Sequence, residues 1–475
     1  VAVNPPVNHC LRRASLGLVA SALLAVGLAA CSVPGQREAS DAAVNQAARE
    51  VGGVRAKWRR SSADDARLKS EIAPLLADGL SVADSVAIAL LANPELQLAF
   101  ERLEVSRSDL VAVSTLPNPV LILGTREPGG HLAPFYPQQT VSIGLLENVL
   151  SLISIPAKRR VAQSDLKRAQ LDLADRIVAH AAQVSLAYLE HVAARRVMEL
   201  RERSTAAATT AVDIISVNVA NGRINAPGDL VVERNALFSN QSQLRRAQLQ
   251  VATTRERLGQ LMGIAGIADD WQVTEDLQPL PANDPDLERL EERAFAQRLD
   301  MRAAREAIAT RLETLRTQRR FSWLGAFEIG VFREGQSSQI RFTGPNAVLE
   351  LPMFDRRQSQ LLTSDAQLRS SLRQTELLAQ QARNELRTHA AEMQTTRTLY
   401  LNYRDQLLPR QQWLLSQMRS ADPSDLGRLR LRLSNIAAEE EATGYLRDYW
   451  RARGALARAA GDWSGVLDWS APKSP

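Results

Sequence analysis

The sequence predicts a mostly α-helical chain, duplicated in tandem, with two short strands set between long helices in each half. Three observations predict it. Two stretches without Gly or Pro, Ala157 to Asn221 and Met353 to Leu408, allow helices on the order of 100 Å. Short runs of alternating apolar and polar residues precede each stretch. The order helix, strands, long helix and returning helix then occurs twice.

Composition agrees with that class. In 475 residues, 45% hydrophobic and 23% charged side chains exclude wholesale disorder and a polytopic helical membrane protein. Aromatic residues are only 5%, which suits long helices packed through small side chains. A net charge of +5 is too diffuse to indicate nucleic acid. Cys10 and Cys31 both lie at the start of the chain, so a disulfide framework is excluded.

Residues 1–30 read as an export signal. Arg12 and Arg13 precede the apolar stretch Ala14 to Ala30, and Leu28-Ala29-Ala30-Cys31 matches a lipoprotein processing box. Cys31 is therefore expected to be the acylated N-terminus of the mature chain, carrying diacylglycerol and palmitate. Ser32 after it points to the outer membrane. No later run is apolar enough for a transmembrane helix, so any spanning part must be built from strands.

Residues 31–80 read as a polar, extended tether. Ser81 and Asp84 are caps for a helix reaching Leu110, which Leu116-Pro117-Asn118-Pro119 ends. Val120 to Leu123 and Gln139 to Glu147 read as strands, the second setting Val141, Ile143 and Leu145 against Thr140, Ser142 and Gly144. The long helix follows, with Leu173, Ile177, Ala181, Val184, Tyr188 and Val192 at coiled-coil spacing. It turns at Asn221 to Asp229 and returns to Met262.

The second half repeats this order. Glu288 to Arg320 reads as helix. Phe321 to Arg333 reads as a strand with Phe321, Trp323, Phe327, Ile329 and Val331 on one face and Glu328 on the other; Ala347 to Leu351 is its partner. A long helix follows, Asp422-Pro423-Ser424-Asp425 turns it, and a helix returns to Ala460. Ser164-Asp165 matches Ser364-Asp365, Ala99 and Glu101 match Ala304 and Glu306, and Gly124 matches Gly330, each pair about 200 residues apart.

A two-stranded ribbon cannot span a bilayer, because its edges stay unpaired. Several copies must pool strands. Four strands per chain give a twelve-stranded barrel in a homotrimer, inside the range of outer-membrane barrels. The face with Phe321 and Trp323 suits lipid, and Glu328 and Glu350 are candidate lumen residues.

The chain resembles the TolC-like outer-membrane factors of tripartite efflux and secretion systems over roughly residues 80 to 463. The resemblance is carried by Asn93-Pro94-Glu95-Leu96, Leu116-Pro117-Asn118-Pro119, Gly344-Pro345 before Leu351-Pro352-Met353-Phe354-Asp355-Arg356, and the closing Tyr449-Trp450-Arg451-Ala452 with Gly461. It implies a trimeric β-barrel in the outer membrane, helical hairpins forming a tunnel through the periplasm, and an equatorial belt. It divides the chain into a signal (1–30), a lipid-anchored tether and equatorial segment (31–80), a first repeat (81–264), an equatorial linker (265–286), a second repeat (287–462) and a tail (463–475).

It also implies a periplasmic adaptor and an inner-membrane pump of the RND type as partners, no cofactor and no enzymatic activity. The Leu-Pro-Met-Phe-Asp-Arg stretch looks most like the branch that exports heavy-metal and other cations. Gly222, Ile224, Asn225, Leu230 and Ser424 at the hairpin turns are candidate adaptor contacts. Asp425 and Asp229 are candidate pore or tip residues, with helix capping as the competing role. Where a second tip aspartate is expected, Arg428 stands within the basic run Arg428, Arg430 and Arg432.

No catalytic or metal constellation stands out. His180 and His191 lie about three turns apart, roughly 16 Å, and read as packing residues. Two other functions share some of these features. One is the channel of a type I protein secretion system; the other is a lipid-anchored periplasmic coiled-coil scaffold, which has no need of alternating apolar strands.

Overall fold

The computed structural model describes residues 58–59, 61–77, 79–126, 140–221, 227–265, 271–322, 325–336, 341–418 and 426–462. The expected lipidation site Cys31 and the tail 463–475 lie outside them.

The first half begins with α1 (Ser62–Ala77), α2 (Val82–Ala92) and α3 (Pro94–Ser114). Strands β1 (Val120–Arg126) and β2 (Thr140–Asn148) follow, then α4 (Val149–Ala220) and α5 (Pro227–Met262). The second half has α6 (Leu287–Gln297), α7 (Leu299–Phe321), β3 (Phe327–Gln336) and β4 (Arg341–Leu349). It closes with α8 (Gln358–Asn402), a π-helical turn (Tyr403–Leu407), α9 (Leu408–Gln417) and α10 (Leu426–Ala459). The duplicated order read from the sequence is the order observed.

Several boundaries differ, each for a local reason. The segment read as tether contains α1, nucleated where Ser61 and Asp64 exchange hydrogen bonds and anchored by buried Leu68 and Ile72. The helix expected from Ser81 to Leu110 is two helices. Ser81 and Asp84 form a capping box for α2, but Asn93 ends it and caps α3 through the Glu95 amide at 2.7 Å, with Pro94 at the first helical position. The helix expected from Glu288 to Arg320 is likewise split at Arg298, whose backbone leaves the helical region at φ −53°, ψ 128°.

α4 starts before Pro156 because Asn148 accepts from the Ser151 amide at 2.9 Å; one lost hydrogen bond near the helix start is tolerated. Its 72 residues span about 110 Å. Phe321 ends α7 and belongs to no strand, while Trp323 lies outside the described residues. β4 is longer than expected and contains Pro345, which an edge strand accommodates. Pro409, at the start of α9, explains the π turn just before it: the wider turn absorbs a residue with no N–H to donate.

The strands form one antiparallel sheet in the order β1-β2-β3-β4. The two strand hairpins turn at one end of the sheet, and all four strand-to-helix junctions lie at the other. α4 packs against α3, α5, α7 and α10, and α8 against α7 and α10. The core is concentrated about midway along α4, where Tyr188 joins Phe100, Leu258, Met262, Leu386 and Tyr449 in one buried cluster.

The chain between α5 and α6 is laced to that core. Leu80 bridges Val273, the Tyr188 hydroxyl donates to the Leu80 carbonyl at 2.6 Å, and the Tyr449 hydroxyl to Asp284 at 2.7 Å. The Trp450 indole donates to the Gln278 carbonyl at 2.9 Å, and Arg397 holds Asp284 and two backbone carbonyls.

Candidate functional site: the two-faced sheet and the helical hairpins

Strand pairing places every described sheet residue on one of two faces. Leu145 lies opposite Leu121 and Val331, Ile143 opposite Leu123 and Arg333, and Ile329 opposite Ala347. These residues share one face with Val141, Phe327, Pro345 and Leu349. The alternation begun by Leu121 and Leu123 in β1 is thus continued across all four strands. Most of this face is apolar and much of it exposed, as at Leu123, Val141, Leu145 and Val331, and the row Leu121, Leu145, Val331 and Pro345 is apolar across all four strands. Of its charged residues, Glu147 stands toward the helix end and Arg341 at the far end, while Arg333 shares a row with Leu123, Ile143 and Thr343.

The opposite face is mixed and carries most of the polar groups. Ser142 donates to the Gly124 carbonyl at 3.1 Å, and Arg126 lies 4.0 Å from Glu334. Glu328 pairs in register with Asn148 at the helix end of this face. Glu350 is just past the end of β4, where its carboxylate accepts from the Ala326 amide at 2.8 Å. Among the described residues, the outer strands β1 and β4 each have one edge without a partner strand.

The hairpin turns carry most of the candidate tip and adaptor residues. Gly222, Ile224, Asn225, Ser424 and Asp425 lie outside the described residues. Asp229 is exposed in the first turn of α5, where its charge complements the helix dipole, and Leu230 is half-buried beside it.

The residue that sequence reasoning missed is Glu233, one turn further along α5. It is only 5% exposed and accepts from Arg430 of α10 at 2.6 and 3.0 Å. Arg201 donates to Glu440 at 2.7 Å and Arg203 to Glu439 at 3.0 Å, so further ion pairs tie α4 to α10. The signal was the basic run containing Arg430, whose partner lies in the other half of the sequence.

The buried histidines serve helix packing. His180 contacts the Leu261 carbonyl at 3.0 Å, and His191 the Thr254 hydroxyl at 3.0 Å. Burial, reinforced by Arg195 and Arg255, pushes the His191 pKa down to about 4. Among the described residues no three His, Cys, Asp or Glu side chains are grouped to hold a metal ion, and no helix is long and apolar enough to cross a membrane.

Long paired helices joined to a two-faced antiparallel sheet define the fold of the outer-membrane channel proteins. Among solved structures, the chain is similar to the Campylobacter jejuni CmeC outer membrane channel, with a TM-score of 0.67 at 16% identity over 81% of this chain and 86% of that one. It is also similar to CusC, whose structures concern folding and transmembrane channel formation, with a TM-score of 0.65 at 16% identity over 80% and 92%. The outer-membrane channel OprN gives a TM-score of 0.65 at 16% identity over 87% and 96%. Neither a protein-family model nor a curated protein matches the chain.

Proposed function

We propose that this chain is the outer-membrane channel of a tripartite efflux system and exports small solutes through a homotrimeric pore. The observation that carries the reading is the sheet: one face mostly apolar, the other mixed and carrying most of the polar groups, with both outer edges left to pair. Nine-residue strands, tilted as in membrane barrels, stand about 25 Å tall, the height of the apolar band of such barrels. Joining β1 of one copy to β4 of the next satisfies the edges and closes twelve strands around the polar face. Glu328 and Glu334 then line the lumen.

The long helices carry the route away from the membrane. Their turns, with Asp425 and Asp229, form the periplasmic end, where Gly222, Ile224, Asn225, Leu230 and Ser424 meet a periplasmic adaptor. An inner-membrane pump, of the RND type, supplies the energy. Cation export, including heavy metals, is the substrate reading favoured by Leu351 to Arg356. Cys31 anchors the chain in the outer membrane through its acyl chains. A scaffold without a pore has no use for the apolar sheet face.

Two experiments test this. Cys31→Ser should abolish metabolic labelling with palmitate, and normal labelling would remove the anchor from the account. The reconstituted protein should conduct ions across a planar bilayer; inserted protein without conductance would remove the pore.

A further inference from the structure

We propose that the linkers and helix ends immediately beneath the sheet form a docking surface for anionic phospholipid headgroups of the leaflet facing the helices. The inference rests on the membrane-spanning reading of the sheet and adds to it the surface that fixes the depth of the barrel.

The apolar face does not stop at the last strand residue. Leu349 is exposed, and the chain beyond it presents Leu351, Met353 and Phe354, the last 91% exposed. Leu116, Ile153 and Leu362 are exposed on the other segments adjoining the sheet. Contacts set the heights of these helices. Arg160 meets Glu313 at 2.9 Å, and Ser364 meets Gln318 at 2.5 Å. Counting back along the antiparallel helices brings Ile153, Arg320 and Leu362 to one level. Ile153 lies about 6 Å along α4 from the sheet, within the depth of one interfacial layer.

Cations surround this apolar rim. Arg319, Arg320 and Arg356 are exposed, with Lys158 and Arg159 one to two turns lower on α4. Helix dipoles account for Arg319 and Arg320, which end α7. They do not account for Arg356, which precedes the N-terminus of α8, where a cation is disfavoured. Of the acidic neighbours, Glu350 accepts from the Ala326 amide at 2.8 Å and Asp355 from the Arg357 amide at 2.7 Å, while Glu147 at the helix end of the apolar face is half-buried. Apolar and basic side chains sharing one level at the foot of the sheet, with Lys158 and Arg159 just beyond it, match an anionic lipid surface.

The test uses the full chain in vesicles of phosphatidylethanolamine and phosphatidylglycerol, with lipids brominated either near the headgroup or deep in the acyl chain. Fluorescence is read as the difference from the unsubstituted protein. Phe354→Trp should be quenched mainly by shallow bromine, and Val331→Trp by deep bromine. Quenching of Val331→Trp without Phe354→Trp would overturn the docking surface and leave the barrel standing; crosslinking between copies through Met353→Cys would then assign the patch to a second copy. If neither is quenched, the spanning reading fails and the docking surface with it. Combining Arg319→Gln, Arg320→Gln and Arg356→Gln should lower co-purified phosphatidylglycerol about tenfold, with the oligomer intact by native mass analysis. Unchanged retention of that lipid by the intact oligomer would overturn the headgroup assignment.

Discussion

The side-chain amide of Asn93 donates to the carbonyl oxygen of Leu261 at 2.8 Å, binding the start of α3 to the end of α5. Arg298 makes the matching contact in the second half, donating to the Ala459 carbonyl at 3.1 Å. In each case a glycine ends the returning helix two residues later, Gly263 and Gly461, both at φ 73°. Each lies against the break between the two preceding helices. The duplication therefore extends to a shared joint, built with an amide in one half and a guanidinium in the other.

Those glycines should resist substitution. An alanine Cβ at Gly263 would meet the backbone of Ala92 and Asn93 at 2.9 Å, and at Gly461 the Arg298 amide nitrogen at 3.0 Å. The left-handed backbone adds about 1–2 kcal/mol for a residue with a Cβ. Gly263→Ala should lower thermal stability at least as much as Gly461→Ala. Two variants as stable as the parent would show that the joint relaxes freely.

Arg430 and Glu233 should respond unequally. Arg430→Gln leaves a buried carboxylate without its cation, whereas Glu233→Gln leaves a half-exposed guanidinium that water can solvate. Denaturant unfolding should show the larger loss for Arg430→Gln, about 1–3 kcal/mol. Equal losses, or a larger one for Glu233→Gln, would contradict this account of the link.

His191 makes stability depend on pH. Its pKa falls from the ordinary value of 6.5 to about 4 on folding, so the unfolded chain binds the extra proton between those values. The stabilising effect of a neutral ring is fully present above pH 6.5 and is lost as pH falls toward 4. The loss should be on the order of 3 kcal/mol, and His191→Gln should flatten it. A slope over that window that is unchanged in His191→Gln would exclude His191 as its source.

Much of the fold was legible because helix and strand periods differ and because two prolines or a glycine cluster mark most turns. Val141, Ile143 and Leu145 alternate in the sequence as they do across β2. Phe321 reads as strand because an aromatic that ends a helix has the same local signal as one that begins a strand. The break at Asn93 carries a local signal, an Asn cap followed by Pro94 at the first helical position, whereas the break at Arg298 was hidden because it is held by the Ala459 carbonyl, distant in sequence. Glu233 was missed likewise, since nothing local shows that Arg430 will reach it.

Whether copies of this chain pool their strands into one conducting barrel is tested most directly by native mass analysis and single-channel recording on the same reconstituted preparation. Three chains per particle and discrete conductance steps are predicted, with ion selectivity altered by Glu328→Gln on the mixed face of the sheet. A stable membrane-inserted monomer, or a trimer that inserts and conducts nothing, would contradict the pooled barrel.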